Sequence, residues 1–230
     1  MITLDRLGKK FDHWVFRNIS FELDHGKSLA IIGPSGSGKS VLLKTIAGLL
    51  DAEEGTLSVK SPNLGMLFQK NALFNSLTVE ENLLFPLREN KGVTGKTAIE
   101  RARYFLQEVG LSGTQKLFPD ELSGGMQKRL GIARALIVNP EVILYDEPTA
   151  GLDPITSRMI AELIRNLQTR SGSTVIAVTN DIRRAYQLGD QIALLAPNLW
   201  VMGGSPADVQ ASRDPAIYQF VRGLNHGPLQ

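Results

Sequence analysis

Gly33-Pro34-Ser35-Gly36-Ser37-Gly38-Lys39-Ser40 is the stretch from which the rest of the chain is read. A strand-like apolar run, residues 28–32, leads into it. A helical pattern starts near Lys39, with Val41, Leu42, Thr45 and Ile46 on or near one face. Gly, four residues, then Gly-Lys-Ser between a strand and a helix is the pattern of a loop that wraps phosphates. Its glycines let successive backbone N–H groups turn inward, and the helix start adds partial positive charge. The spacing therefore predicts that Lys39 bridges β- and γ-phosphate oxygens of ATP and that the Ser40 hydroxyl ligates Mg²⁺.

Downstream, four apolar residues, Val142-Ile143-Leu144-Tyr145, precede Asp146-Glu147. A buried strand ending in two acids delivers them to one place, Asp146 to hold Mg²⁺ through its water shell and Glu147 to polarise an attacking water. Another apolar run, residues 174–178, follows a helical segment over 155–170. Such strands alternating with helices predict an α/β fold of the P-loop NTPase kind, a mixed sheet with a substantial parallel portion covered on both faces. From about residue 70 to 139 helical patterns predominate, with amphipathic helices over 98–110 and 124–139, the second ended by Asn139-Pro140. Residues 89–95 read as a surface loop. After about residue 197 come a short strand (199–202), a Gly203-Gly204 turn and a helix over 215–222. The expected organisation is one domain, 1–230: a RecA-like core (1–69 and 140–196), an inserted helical subdomain (70–139) and a C-terminal tail (197–230).

Composition narrows the partners. The 25 basic and 23 acidic residues leave a formal charge of +2, too near balance to imply nucleic acid or an anionic membrane surface. There is no cysteine, and three scattered histidines (His13, His25, His226) do not make a metal cluster, so metal is expected to arrive with the nucleotide. The N-terminal residues lack a signal-peptide pattern and no run approaches a bilayer span. A cytoplasmic chain is expected, reaching a membrane only through a partner.

Leu122-Ser123-Gly124-Gly125-Met126 lies between the phosphate loop and the acidic strand end, and Gln69 sits where the first half of the core gives way to the helices. With the loop, residues 142–147 and Gly151-Leu152-Asp153-Pro154, these motifs occur in an order and spacing that resemble the nucleotide-binding subunit of ABC transporters over essentially the whole chain. The resemblance implies a head-to-tail homodimer with two ATP molecules sandwiched between subunits. In it Ser123 and the Gly124 and Gly125 backbone bind the γ-phosphate held by the opposite subunit, and Gln69 touches both Mg²⁺ and the water. Phe11 matches the aromatic that stacks on adenine, with Trp14 the second choice and a strand-flanking core aromatic the rival reading. Asp153 matches an acid that crosses the interface, and it also suits a helix cap.

One position departs from the family. After residues 174–178 the family has a switch histidine near the γ-phosphate, whereas this chain has Asn180, which can donate an amide hydrogen bond but cannot become cationic. Slowed turnover with intact binding is one expectation, and an adequate replacement by Asn in a glutamate-driven mechanism is the other.

Met126, residues 71–79 and 81–89, and the closing residues 220–223 and 227–228 make the chain similar to the Mla-type branch, which moves phospholipid or other hydrophobic molecules with MCE-domain proteins. That implies integral-membrane permease subunits, a peripheral place on the inner face of the bacterial inner membrane, and an MCE-domain partner. Leu73, Phe74, Leu77 and Phe85 are candidates either for a groove receiving a permease helix or for subdomain core. The competing functions are an importer ATPase for amino acids or another polar solute, a soluble ABC ATPase acting on DNA or the ribosome, and a regulatory module whose hydrolysis has decayed.

Overall fold

Residues 1–61 and 63–229 are described in the computed structural model. Its first half runs β1 (Ile2–Lys10), β2 (Trp14–Leu23), β3 (Ser28–Ile32), α1 (Lys39–Ile46), β4 (Glu54–Val59) and β5 (Leu64–Leu67). The helical stretch that follows holds α2 (Val79–Lys91), α3 (Gly95–Glu108) and α4 (Gly124–Leu136). Then come β6 (Val142–Asp146), α5 (Pro154–Ser171), β7 (Thr174–Thr179), α6 (Ile182–Leu188), β8 (Gln191–Ala196), β9 (Leu199–Gly204), α7 (Pro206–Ala211) and α8 (Pro215–Arg222).

The main sheet has six strands in the order β5-β6-β7-β3-β8-β9, parallel except for the β8–β9 pair. Its strands are buried on both faces, which is why β3, β6 and β7 are continuously apolar or small rather than alternating. Side-chain parity sorts the faces. Leu29, Ile31, Val142, Leu144, Ile176 and Val178 join the core packed on α1 and on a second, antiparallel sheet of order β2-β1-β4. Ile143, Tyr145, Val175 and Ala177 point the other way, into a core shared with α2–α5, while Ala30 and Ile32 join α6–α8 on that side of the neighbouring strands.

Several expected boundaries shift. Residues 89–91, read as loop, are the last turn of α2, which carries Pro86 in its interior. Its start is fixed by a reciprocal Thr78–Glu81 capping box and its end by Gly92 in the left-handed conformation (φ 59°), whose N–H donates to the Leu87 carbonyl. Gly203-Gly204, read as a turn, belongs to β9. A Cβ on Gly203 would lie 2.6 Å from Val209 and 3.2 Å from the Ile192 carbonyl, so the glycine serves close packing. Helix α4 stops at Leu136 rather than running on to residue 139, where Asn139 adopts a left-handed φ of 50°. Among the described residues no helix is long and apolar enough to cross a membrane.

Candidate nucleotide site

The glycine-rich loop joins the end of β3 to α1, and its conformation explains its glycines. Gly33 has φ 154°, and a Cβ there would lie 1.9 Å from the Leu195 carbonyl oxygen. Gly38, the residue capping α1, has φ 95°, with Val15 2.6 Å from where a Cβ would stand. Between them Pro34 is half-buried and Ser35 and Gly36 face solvent. Ser37 is 2 % exposed, and its hydroxyl has no hydrogen-bond partner among the described residues. A buried hydroxyl with no partner in a glycine-rich loop fits an oxyanion ligand.

Lys39 is nearly buried, and its ammonium donates to the Gly33 and Pro34 carbonyls at 2.9 and 2.8 Å. Burial pulls its pKa below the ordinary lysine value, while Glu147 and then Asp146 oppose that shift. The Ser40 hydroxyl donates to Asp146 Oδ1 at 2.7 Å. Two oxygens of this chain therefore already meet where a hard cation with oxygen ligands would sit.

Glu147 follows β6 in a left-handed conformation, φ 47°, uncommon for a residue with a side chain. Its N–H donates to the Val178 carbonyl, and its Oε2 accepts from the Asn180 N–H at 3.4 Å. Burial raises the Glu147 pKa, only partly offset by Lys39 and by hydrogen bonds from Asn180 and Thr179. A carboxylate held in this way is a stronger proton acceptor than one in water. Gln69 and Asn180 are both exposed beside this cluster. The Gln69 carbonyl accepts from Lys128 at 2.7 Å, and Lys128 also reaches the Glu147 carbonyl at 3.3 Å. Lys128 was not legible in the sequence, since a helical period does not disclose that one lysine of Met126-Gln127-Lys128-Arg129 turns inward.

Phe11 is 56 % exposed at the tip of the β1–β2 hairpin, so it is not a core aromatic. It lines a cleft of about 370 Å³ with Trp14, Val15, Gly36 and Ser37. The Lys9 ammonium lies 5.1 Å from its ring centroid, and the Arg17 guanidinium lies 4.2 Å from that of Trp14. Phe11 thus has the freer face, whereas Trp14 is half-buried and already stacked.

Ser123, Gly124, Gly125 and Asp153 gather in a separate cleft with Gly151, Leu152 and Thr156. Ser123 caps α4, its hydroxyl accepting from Met126 N–H at 3.3 Å. A Cβ on Gly125 would come within 2.9 Å of Thr156, so α4 and α5 meet closely at that glycine. Asp153 caps α5, taking N–H groups of Ile155 and Thr156 at 2.9 and 3.0 Å, and the Thr156 side chain together with these N–H groups lowers its pKa. The chain thus presents the Lys39, Ser40, Asp146 and Glu147 cluster at one place and the exposed N-terminus of α4 at another.

Known proteins resemble this chain in sequence and in fold. The ABC transporter family profile matches residues 16–150, more than half of the chain. The intermembrane phospholipid transport system ATP-binding protein of Escherichia coli K12 is 36% identical, covering 94% of this chain and 86% of that protein. A probable ribonucleotide transport ATP-binding protein of Mycobacterium leprae is 34% identical over 94% of this chain and 66% of its own length. A dimeric bacterial ABC transporter cassette superposes with a TM-score of 0.78 at 32% identity, covering 85% of this chain and 94% of its own. A dimeric cassette in a post-hydrolysis state with ADP and Pi gives 0.76 at the same identity and coverage.

Proposed function

The chain belongs to the ABC transporter family of ATP-binding subunits, and from that premise we propose that it is the ATP-hydrolysing motor of a transporter moving phospholipid or another hydrophobic substrate. The observation that carries the hydrolytic part is the convergence of Lys39, Ser40, Asp146 and Glu147 on the glycine loop, with the unpaired Ser37 hydroxyl beside them.

Lys39 and the loop amides would hold the phosphates, and Phe11 would receive the adenine. Ser40, Asp146 and Gln69 would hold Mg²⁺, which when bound would supply positive charge to the phosphate oxygens. Glu147, its basicity raised by burial, takes the proton of the attacking water, while Asn180 holds one carboxylate oxygen through its backbone and offers its side-chain amide to the phosphate. Ser123, Gly124 and Gly125, with Asp153 beside them, would meet the nucleotide of a second copy, so that two chains complete each other's sites head to tail. The dimeric assembly of the related cassettes supports that reading.

The division into a core (1–69, 140–196), a helical subdomain (70–139) and a tail (197–230) belongs to this proposal, closure being a rigid-body movement of the helical part. A groove of about 380 Å³ between α2 and α3, lined by Leu77, Leu84, Phe85, Ala98 and Ile99, suits a short apolar helix of a permease. Phe74, its ring tilted against Phe85 with centroids 4.8 Å apart, flanks it, while Leu73 is partly buried against the core. Through that permease the protein would sit at the cytoplasmic face of the inner membrane, beside an MCE-domain protein.

Glu147→Gln tests the motor reading: phosphate release should fall by about 10²–10⁴-fold while ATP still binds. Lipid and an MCE-domain protein copurifying with the membrane complex test the cargo. The ribonucleotide transport named for the mycobacterial relative favours a second reading, a polar cargo, which their absence from a complex active on a polar solute would support.

A further inference from the structure

Lys128 projects from α4 into the interior, 4 % exposed. Burial pulls its ammonium below the ordinary lysine value, and Asp146, then Glu147, oppose that shift. Placing a cation there carries a desolvation cost, and an apolar side chain of similar volume would fill the space without it. The ammonium therefore has a task beyond packing.

Its bonds indicate the task. It donates at 2.7 Å to the Gln69 carbonyl and at 3.3 Å to the Glu147 carbonyl, joining α4 to the loop after β5 and to the residue after β6. Both acceptors lie where the backbone is unusual. Glu147 has φ 47°, and just beyond Gln69 come Asn71 and Ala72 with φ 60° and 50°. Left-handed conformations are uncommon in residues with side chains such as Glu147 and Ala72 and persist where neighbours hold them. The same helix provides a second hold, because Arg134 donates to the Asn71 and Ala72 carbonyls at 2.9 and 2.7 Å. Helix α4 thus grips one loop at two places and reaches the strand end at one of them. About one turn before Lys128 the helix begins at the exposed Ser123–Gly124 terminus.

We propose that Lys128 is a positioning residue that fixes the Gln69 loop and the Glu147 backbone to α4, so that displacement of the Ser123 end of α4 moves both hydrolytic residues of the same chain together. Engagement of one chain's α4 terminus by a second copy would then be felt at the first chain's own Glu147. This rests on the ATPase reading above.

The test is steady-state ATP hydrolysis by the purified protein with Mg²⁺, comparing Lys128→Met, Lys128→Arg and Glu147→Gln. Lys128→Met should lower kcat by about tenfold or more with KM for ATP within about twofold. Lys128→Arg, which keeps donors for both carbonyls, should recover most of that loss. A merely structural role would shift KM and thermal stability along with kcat and would not respond to Arg in this way. Should Lys128→Met fail to fold, Lys128→Leu, which also lacks a donor, carries the same expectation of a kcat loss at constant KM. A folded Met or Leu variant with parental kcat, or an Arg variant no better than Met, overturns the proposal. Parental turnover in Glu147→Gln would instead overturn the ATPase reading on which it stands.

Discussion

The Ser40 hydroxyl donates to Asp146 Oδ1 at 2.7 Å, joining the first turn of α1 to the end of β6. Residues 106 positions apart in sequence thus meet as an oxygen pair. Ser40→Ala is expected to weaken nucleotide binding by about 1.5–3 kcal/mol in the presence of Mg²⁺ and to change it little in EDTA. Titration with a fluorescent ATP analogue in both buffers checks this, and an equal loss in both would remove the metal from the explanation.

Burial raises the pKa of Glu147, and the base must be ionised to work. The acid limb of the kcat–pH profile should therefore lie above the ordinary glutamate range and disappear in Glu147→Gln. The linkage has a definite sign. A folded carboxyl that holds its proton more tightly than the unfolded one favours folding below the unfolded pKa, and that contribution is lost as pH rises through the folded pKa. Thermal melts across that window should show the parent losing stability relative to Glu147→Gln as pH rises.

The bond from Asn180 to Glu147 Oε2 uses the backbone N–H, so replacing the side chain leaves it in place. Asn180→His should keep ATP affinity and raise turnover by about 10²-fold, the lower end of the range for an added proton-transferring group. ATPase assays on the transporter assembled with its membrane partners provide the check. An unchanged rate would mean that an amide suffices there.

Phe11 presents an open ring face beside the loop, whereas Trp14 is stacked under Arg17. Phe11→Ala should raise KM for ATP by about tenfold, in keeping with ~1–3 kcal/mol for a base on an aromatic, while Trp14→Ala changes it far less. Inhibition by inorganic triphosphate, which has no base, should stay the same in both variants. A Phe11 variant that loses triphosphate as well would point to a distorted hairpin.

What was legible in the sequence was what strict local geometry demands. Gly33 and Gly38 are readable because close contacts and positive φ allow little else there, and residues 142–147 because a buried strand end must be apolar up to its acids. The last turn of α2 was missed because Pro86 and a polar tail argue against a helix locally, while the two caps that hold it act at its ends. Lys128 escaped because its carbonyl acceptors belong to Gln69 and Glu147, far away in sequence, and carbonyls leave no mark on residue identity. The Gly203-Gly204 pair shows the converse error, since glycine's freedom in turns conceals its use where Val209 comes close.

The parity of the buried strands bears on how this chain can change. Leu144 and Tyr145 are bonded neighbours that pack into different cores, while Leu144 and Ile176 share one across two strands. Substitutions at the first pair should be nearly independent, and those at the second should interact by about 0.5–3 kcal/mol. The face that carries the helices can therefore drift to suit a new membrane partner without disturbing the face that holds α1 and its phosphate loop.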